Sequence, residues 1–182
     1  MRSERAIAHA VPASHAAPRR RLFLGAASAL TLSACGFQLR QAPDFAFSTL
    51  YTGMAEGSAL GTELKRNLAA TGRVEVISDA RQLDRAQVIL DALTDQRERV
   101  VVGVNASGQV RELQLRLRFK FKLRSRDGKE LIPETELLLK RDISYSETVI
   151  LAKEAEEALL YRDMQSDLVQ QLMRRLAAVR EI

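Results

Sequence analysis

Between Leu113 and Arg124 the chain alternates apolar and polar residues without a break. Leu113, Leu115, Leu117, Phe119, Phe121 and Leu123 fall on one side; Gln114, Arg116, Arg118, Lys120, Lys122 and Arg124 fall on the other. Successive side chains of a strand point to opposite faces, so this period of two predicts a strand with one face in the core and one wet, positive face. Arg99 to Val104 supplies a hairpin partner upstream, closed by Asn105-Ala106-Ser107-Gly108. Downstream, Ser125-Arg126-Asp127-Gly128 reads as a type I turn with Gly128 in a bulge. That turn sets Ser125 against Lys129, and so Leu117 against Leu137 and Leu115 against Leu139. On the wet face the same register sets Lys120 against Glu134 and Arg118 against Glu136. Apolar then meets apolar, and charge meets opposite charge.

The remaining segments supply the layer that this strand needs. Gly36 to Arg40 reads as a short strand, Gln41 to Phe47 as a loop holding Pro43 and Asp44, and Ser48 to Thr52 as a second extended stretch. A helix is predicted from the N-cap Ser58 to Ala70, with Leu60, Leu64 and Leu68 on one face and Thr71-Gly72 ending it. Val74, Val76 and Ile77 begin another strand, and Ala86 to Thr94 forms a further one. A long helix closes the chain from about Ser146 to Val179, on the order of 50 Å if unbroken. Its stripe is Leu151, Ala155, Ala158, Leu159, Leu168, Leu172, Leu176 and Val179, diluted around Tyr161 and Gln165, where a bend is permitted. The expected fold class is α+β: an antiparallel or mixed sheet of about four strands, covered on one face by two helices.

Cys35 is the only cysteine, and it follows three arginines (Arg19, Arg20, Arg21), an apolar run from Leu22 to Leu32, and Ser33-Ala34. A basic n-region, a short h-region and small residues before the cut define a secretory signal. The run is too short to span a bilayer, which takes about 20 residues. A cysteine at the junction makes the segment a lipobox. The expectation is a signal peptide over residues 1–34, removed, and one N-terminally lipidated domain over residues 35–182. Cys35 would carry an S-diacylglycerol and an N-acyl group, with no other cofactor. Arg20-Arg21-Leu22-Phe23-Leu24 also resembles a twin-arginine signal, so general export and folded export both stay open.

Removing that segment lowers the formal net charge from +5 to +1 and takes away both histidines, His9 and His15. The high pI therefore gives no argument for nucleic-acid binding. Without histidine or a free thiol, triad chemistry, imidazole acid–base catalysis and His/Cys zinc sites are excluded. Disulfides within the chain are excluded as well. A chain of this size can bury roughly 70% of its unfolded surface in one core. These features describe a protein that binds rather than an enzyme.

The basic face admits two readings: a site for anionic groups such as phosphates, or a solvated sheet face partly neutralised by Glu134 and Glu136. Nucleic-acid stacking would need aromatics among the cations, whereas Phe119 and Phe121 lie on the opposite side. A lipid-anchored hydrolase using Glu134 and Glu136 is a remote alternative. Their basic partners favour a salt ladder over raised pKa values.

Cys35-Gly36-Phe37-Gln38-Leu39-Arg40 closely resembles the mature start of the LptE family of lipopolysaccharide-assembly lipoproteins. The later order is also similar: short strands, a helix ending in glycine, three long strands and a long C-terminal helix. Gln41 stands where the family often has glycine, and Gly36 after the anchor fits release to the outer membrane. The resemblance implies a lipoprotein at the outer membrane, facing the periplasm and the lumen of an LptD-like β-barrel. There it plugs the barrel, helps it assemble and binds lipopolysaccharide. It also implies a basic site, best matched by Lys140 with Arg141 beside it, alongside Arg118, Lys120 and Lys122 of the basic strand. Ala106-Ser107-Gly108 replaces the basic residue that the family can carry in the hairpin. An accessory lipoprotein of another outer-membrane assembly machine would share the anchor and the fold.

Overall fold

The computed structural model describes residues 43–146 and 150–182. Cys35 and the strand expected over Gly36–Arg40 lie outside the described residues. The sheet has five strands, β1 (Thr49–Thr52), β2 (Glu75–Ile77), β3 (Val88–Val104), β4 (Val110–Ser125) and β5 (Glu130–Ser144), in the order β2-β1-β3-β4-β5. β1 runs parallel to β2 and β3, while β3, β4 and β5 form antiparallel pairs. The α+β class with a mixed sheet is the expected one, with five strands where about four were expected. The strand expected over Ala86–Thr94 begins at Val88, and it and Arg99–Val104 are not separate strands but parts of the continuous β3, bent by a bulge between Ala92 and Thr94. A bulge lets one strand accommodate an extra residue without ending.

The six alternating apolar residues of β4 from Leu113 to Leu123 are buried at 5% exposure or less, and their polar neighbours are half-buried on the other face. The two turns take the glycines where the chain needs positive φ, at Gly108 (78°) and Gly128 (92°). In the first turn the Asn105 carboxamide oxygen accepts from the N–H groups of Ser107 and Gln109. In the second the Ser125 N–H donates to the Lys129 carbonyl, 2.8 Å, so the turn itself is as expected.

Beyond the turn the register differs. Leu117 lies opposite Leu139 rather than Leu137, and Leu115 opposite Arg141 rather than Leu139. Lys120 lies opposite Glu136, and Arg118 opposite Leu138. Two irregularities, between Arg124 and Leu123 and between Leu123 and Phe121, each insert a residue into β5 around Leu131 to Glu134. Pro133 sits there with no N–H to give the ladder. Two single-residue slips restore the parity of the strand, so each side chain keeps its expected face while its partner moves by two.

Helix α1 (Ala59–Ala70) begins at Ser58, whose hydroxyl oxygen accepts from the Gly61 N–H at 3.0 Å and donates to Asp95 at 2.7 Å. Leu60, Leu64 and Leu68 are buried, and Gly72 follows the Thr71 C-cap with φ 65°. Helix α2 (Ile150–Ala178) buries Tyr161, Met164, Leu168, Leu172 and Leu176 among others. The upper part of its expected stripe is corrected: Leu151 is 82% exposed and Leu159 51%. The cause is what β3 presents to the first turns of α2. Arg99 pairs with Glu157 at 3.4 Å, and Arg97 lies over the Tyr161 ring, 5.2 Å from its centroid. Arg97 also donates to Gln165 at 2.9 Å, Gln165 donates to Glu63 of α1, and the Tyr161 hydroxyl donates to the Glu98 carbonyl. A polar seam therefore turns α2 so that Lys153, Glu157 and Tyr161 face the sheet and the upper leucines face out.

Candidate functional site

The polar residues of β4 share the open face of the sheet with alternate residues of β3 and β5. Most of these cations are already matched. Arg118 pairs with Glu136 at 2.9 Å and Glu98 at 3.4 Å; Lys120 lies 3.7 Å from both Glu134 and Glu136; Arg124 pairs with Asp91 at 2.8 Å. The contacts expected between Lys120 and Glu134 and between Arg118 and Glu136 are thus present, as diagonal pairs rather than direct ones. With Arg118 and Lys120 upon them, Glu134 and Glu136 form a salt ladder rather than an isolated pair of carboxylates.

Three cations on this face have no carboxylate within ion-pair distance among the described residues: Arg116, Lys122 and Lys140. Arg116 lies directly opposite Lys140 across β4 and β5. The expected register would have put Lys140 opposite Gln114; the two-residue slip exchanges a neutral neighbour for a second positive charge. Like charges directly opposite are unfavourable in a sheet. The Arg116 Nε donates to the Gln114 carboxamide at 2.8 Å, which holds the guanidinium along the strand but does not neutralise it. Gln114 in turn donates to Asp142 at 2.9 Å. An anion above this pair would relieve the repulsion through charge-assisted hydrogen bonds, so Arg116–Lys140 is the part of the face best suited to a phosphate.

Lys140 and Arg141 do not form one site. Adjacent strand residues point to opposite faces, and Arg141 lies on the helix side, where it reaches Asp167 of α2 at 3.3 Å. Its guanidinium also donates to the Lys140 carbonyl at 2.9 Å. The residue that joins Lys140 is Arg116, which sequence reasoning placed on the basic face but not in the site. Only the register could have singled it out. On the helix side, a hollow of about 480 Å³ between α2 and the β3 edge is lined by Arg97, Arg99, Glu154, Glu157, Ala158 and Tyr161. Arg99 is paired with Glu157, and Arg97 is held by Tyr161 and Gln165, so the hollow reads as part of the seam.

Residues 47–176 match a family model described as LptE, lipopolysaccharide-assembly. Among solved structures, the chain is similar to uncharacterized lipoprotein B from Nitrosomonas europaea, at 32% identity and a TM-score of 0.66, covering 79% of this chain and 91% of that one. It shares its fold with a minor lipoprotein from Acinetobacter baumannii, at 24% identity and a TM-score of 0.58, over 74% and 94% of the two chains. The same holds for rare lipoprotein B from Shewanella oneidensis, at 20% identity and a TM-score of 0.59, over 72% and 95%. No curated protein matches the chain.

Proposed function

This chain belongs to the LptE family of lipopolysaccharide-assembly proteins, and from that premise we propose that it is an outer-membrane lipoprotein that seats in an LptD-like β-barrel and binds lipopolysaccharide for delivery to the outer leaflet. Its role is binding and assembly, not catalysis. The observation that carries the lipopolysaccharide reading is the unneutralised Arg116–Lys140 pair, with Lys122 further along the same face. The phosphates of lipid A are anions of the kind that two adjacent cations hold, with an affinity that falls as salt rises. Lipid at Cys35 supplies attachment: each buried CH₂ contributes about 0.8 kcal/mol, so two or three chains hold the protein at the membrane. The exposed leucines of α2 fit contact with a surrounding wall, since apolar side chains that a fold leaves uncovered tend to mark partner surfaces.

The test is capture of the full-length protein, tagged after Ile182, from its native envelope in detergent, followed by mass spectrometry of what accompanies it. Stoichiometric recovery of an LptD-like barrel is the expected result. Recovery of a different barrel, or of none, would withdraw the transport role and leave the family assignment standing.

A further inference from the structure

Among the described residues no strand lies beside the outer edge of β5, which ends the sheet. Which backbone groups it offers follows from its pairing with β4. The Tyr145 N–H donates to the Arg111 carbonyl at 2.8 Å, so odd residues of this stretch turn their backbone toward β4. In an antiparallel ladder these groups alternate, so Glu136, Leu138 and Lys140 turn their N–H and C=O groups outward. Among the described residues the Lys140 carbonyl accepts from the side chain of Arg141, as an edge carbonyl without a strand partner would.

The side chains of these same three residues lie on the open face, arranged acid, leucine, base. A second β5 running antiparallel, with its centre at Leu138, places Leu138 beside its own copy. Glu136 then faces Lys140 of the other chain, twice. Of the other registers that keep outward groups together, those centred on Leu137 or Leu139 set Glu136 or Lys140 against Leu138, and those centred on Glu136 or Lys140 set a charge against its own copy, so only the Leu138 centre joins Glu136 to Lys140. Centred on Leu138, the helix-side neighbours are Leu137 and Leu139, again apolar against apolar. The pairing also gives Lys140 a carboxylate, which it lacks among the described residues and needs beside Arg116. It stops at the Pro133 bulge on one side and at Asp142 on the other, where Glu134 of the second copy would bring a second acid. We propose that β5 is a self-complementary edge, and that two copies of this protein join there into one ten-stranded sheet when the protein is not engaged elsewhere. The inference does not depend on the barrel reading.

Charge exchange tests it. Two full-length copies with different tags are co-expressed, solubilised in detergent, captured by one tag and probed for the other. The native pair should be recovered together. Glu136→Lys against itself and Lys140→Glu against itself should each lose capture, because every cross-chain pair becomes like-charged. Glu136→Lys mixed with Lys140→Glu restores both contacts and should recover capture, which also shows that each variant folds. Absence of native capture, survival of capture in both reversals, or failure of the mixture to recover would each overturn the proposal.

Discussion

Replacing Lys140 with glutamine should make the protein more stable and a poorer ligand binder at the same time. The side chain is exposed, it faces Arg116 across the strands, and it has no carboxylate partner among the described residues. Glutamine keeps much of the stem and removes the repulsion. A directly opposed pair contributes about 0.2–1 kcal/mol. For a domain of this size, at about 3 °C per kcal/mol, the Tm should rise by about 1–3 °C. Arg116→Gln should do much the same. The double variant should gain little beyond either single one, because one repulsion can be relieved only once; that shortfall is the coupling a double-mutant cycle measures. Binding of lipopolysaccharide should move the other way. A hydrogen bond to a charged group contributes about 1.5–3 kcal/mol, so each single change should weaken binding by about tenfold to a hundredfold. Thermal unfolding in dilute solution, where copies are apart, and titration with lipopolysaccharide at two salt concentrations read the two effects. A lower Tm for Lys140→Gln, or full additivity in the double variant, would refute the reasoning about this pair. Arg141→Gln is the natural control: it breaks the Arg141–Asp167 contact on the other face and should leave binding unchanged.

Two further outcomes follow from the helical side. Ser58→Ala removes both the cap on Gly61 and the tie to Asp95, and should cost about 1–2 kcal/mol in urea unfolding; no measurable loss would mean the cap is satisfied by water instead. Burial first, and then the Glu157 carboxylate, push the Tyr161 phenol above its ordinary value. The unfolded chain therefore releases this proton first, and stability present below about pH 10 is lost as pH rises further, until the native phenol ionises too. Tyr161→Phe should start less stable by about 1 kcal/mol, through loss of the bond to the Glu98 carbonyl, and then decline less steeply above pH 10. Parallel alkaline losses in the two proteins would exclude Tyr161 as the source.

The faces of the sheet were legible because β4 alternates strictly and because parity survives a two-residue slip. The register was not, since its two slips arise in β5, where Pro133 and its neighbours give no periodic signal. That shift alone decides whether Lys140 meets Gln114 or Arg116, so the site could be assigned to a face but not to a pair. α1 was readable from Ser58 and Gly72, both of which act locally. The upper half of α2 was not, because two stripes there have helical spacing. The choice between them rests on Arg97 and Arg99, which lie far away in the chain and look like a break between strands. A polar seam has no hydrophobic period to betray it.

The position of β1 bears on the order in which the protein can fold. It comes first among the described strands, yet it lies inside the sheet, between β2 and β3, which are both made later. Leu50 cannot find its neighbours until Val76 and Val88 have been synthesised or translocated. Parallel pairs of this kind close long loops before they gain any contact, which makes them slow. The hairpins of β3, β4 and β5, with short turns, can form ahead of them. If acylation at Cys35 takes place at the membrane as proposed, the protein is tethered there before β1, the first of the described strands, has a slot to occupy.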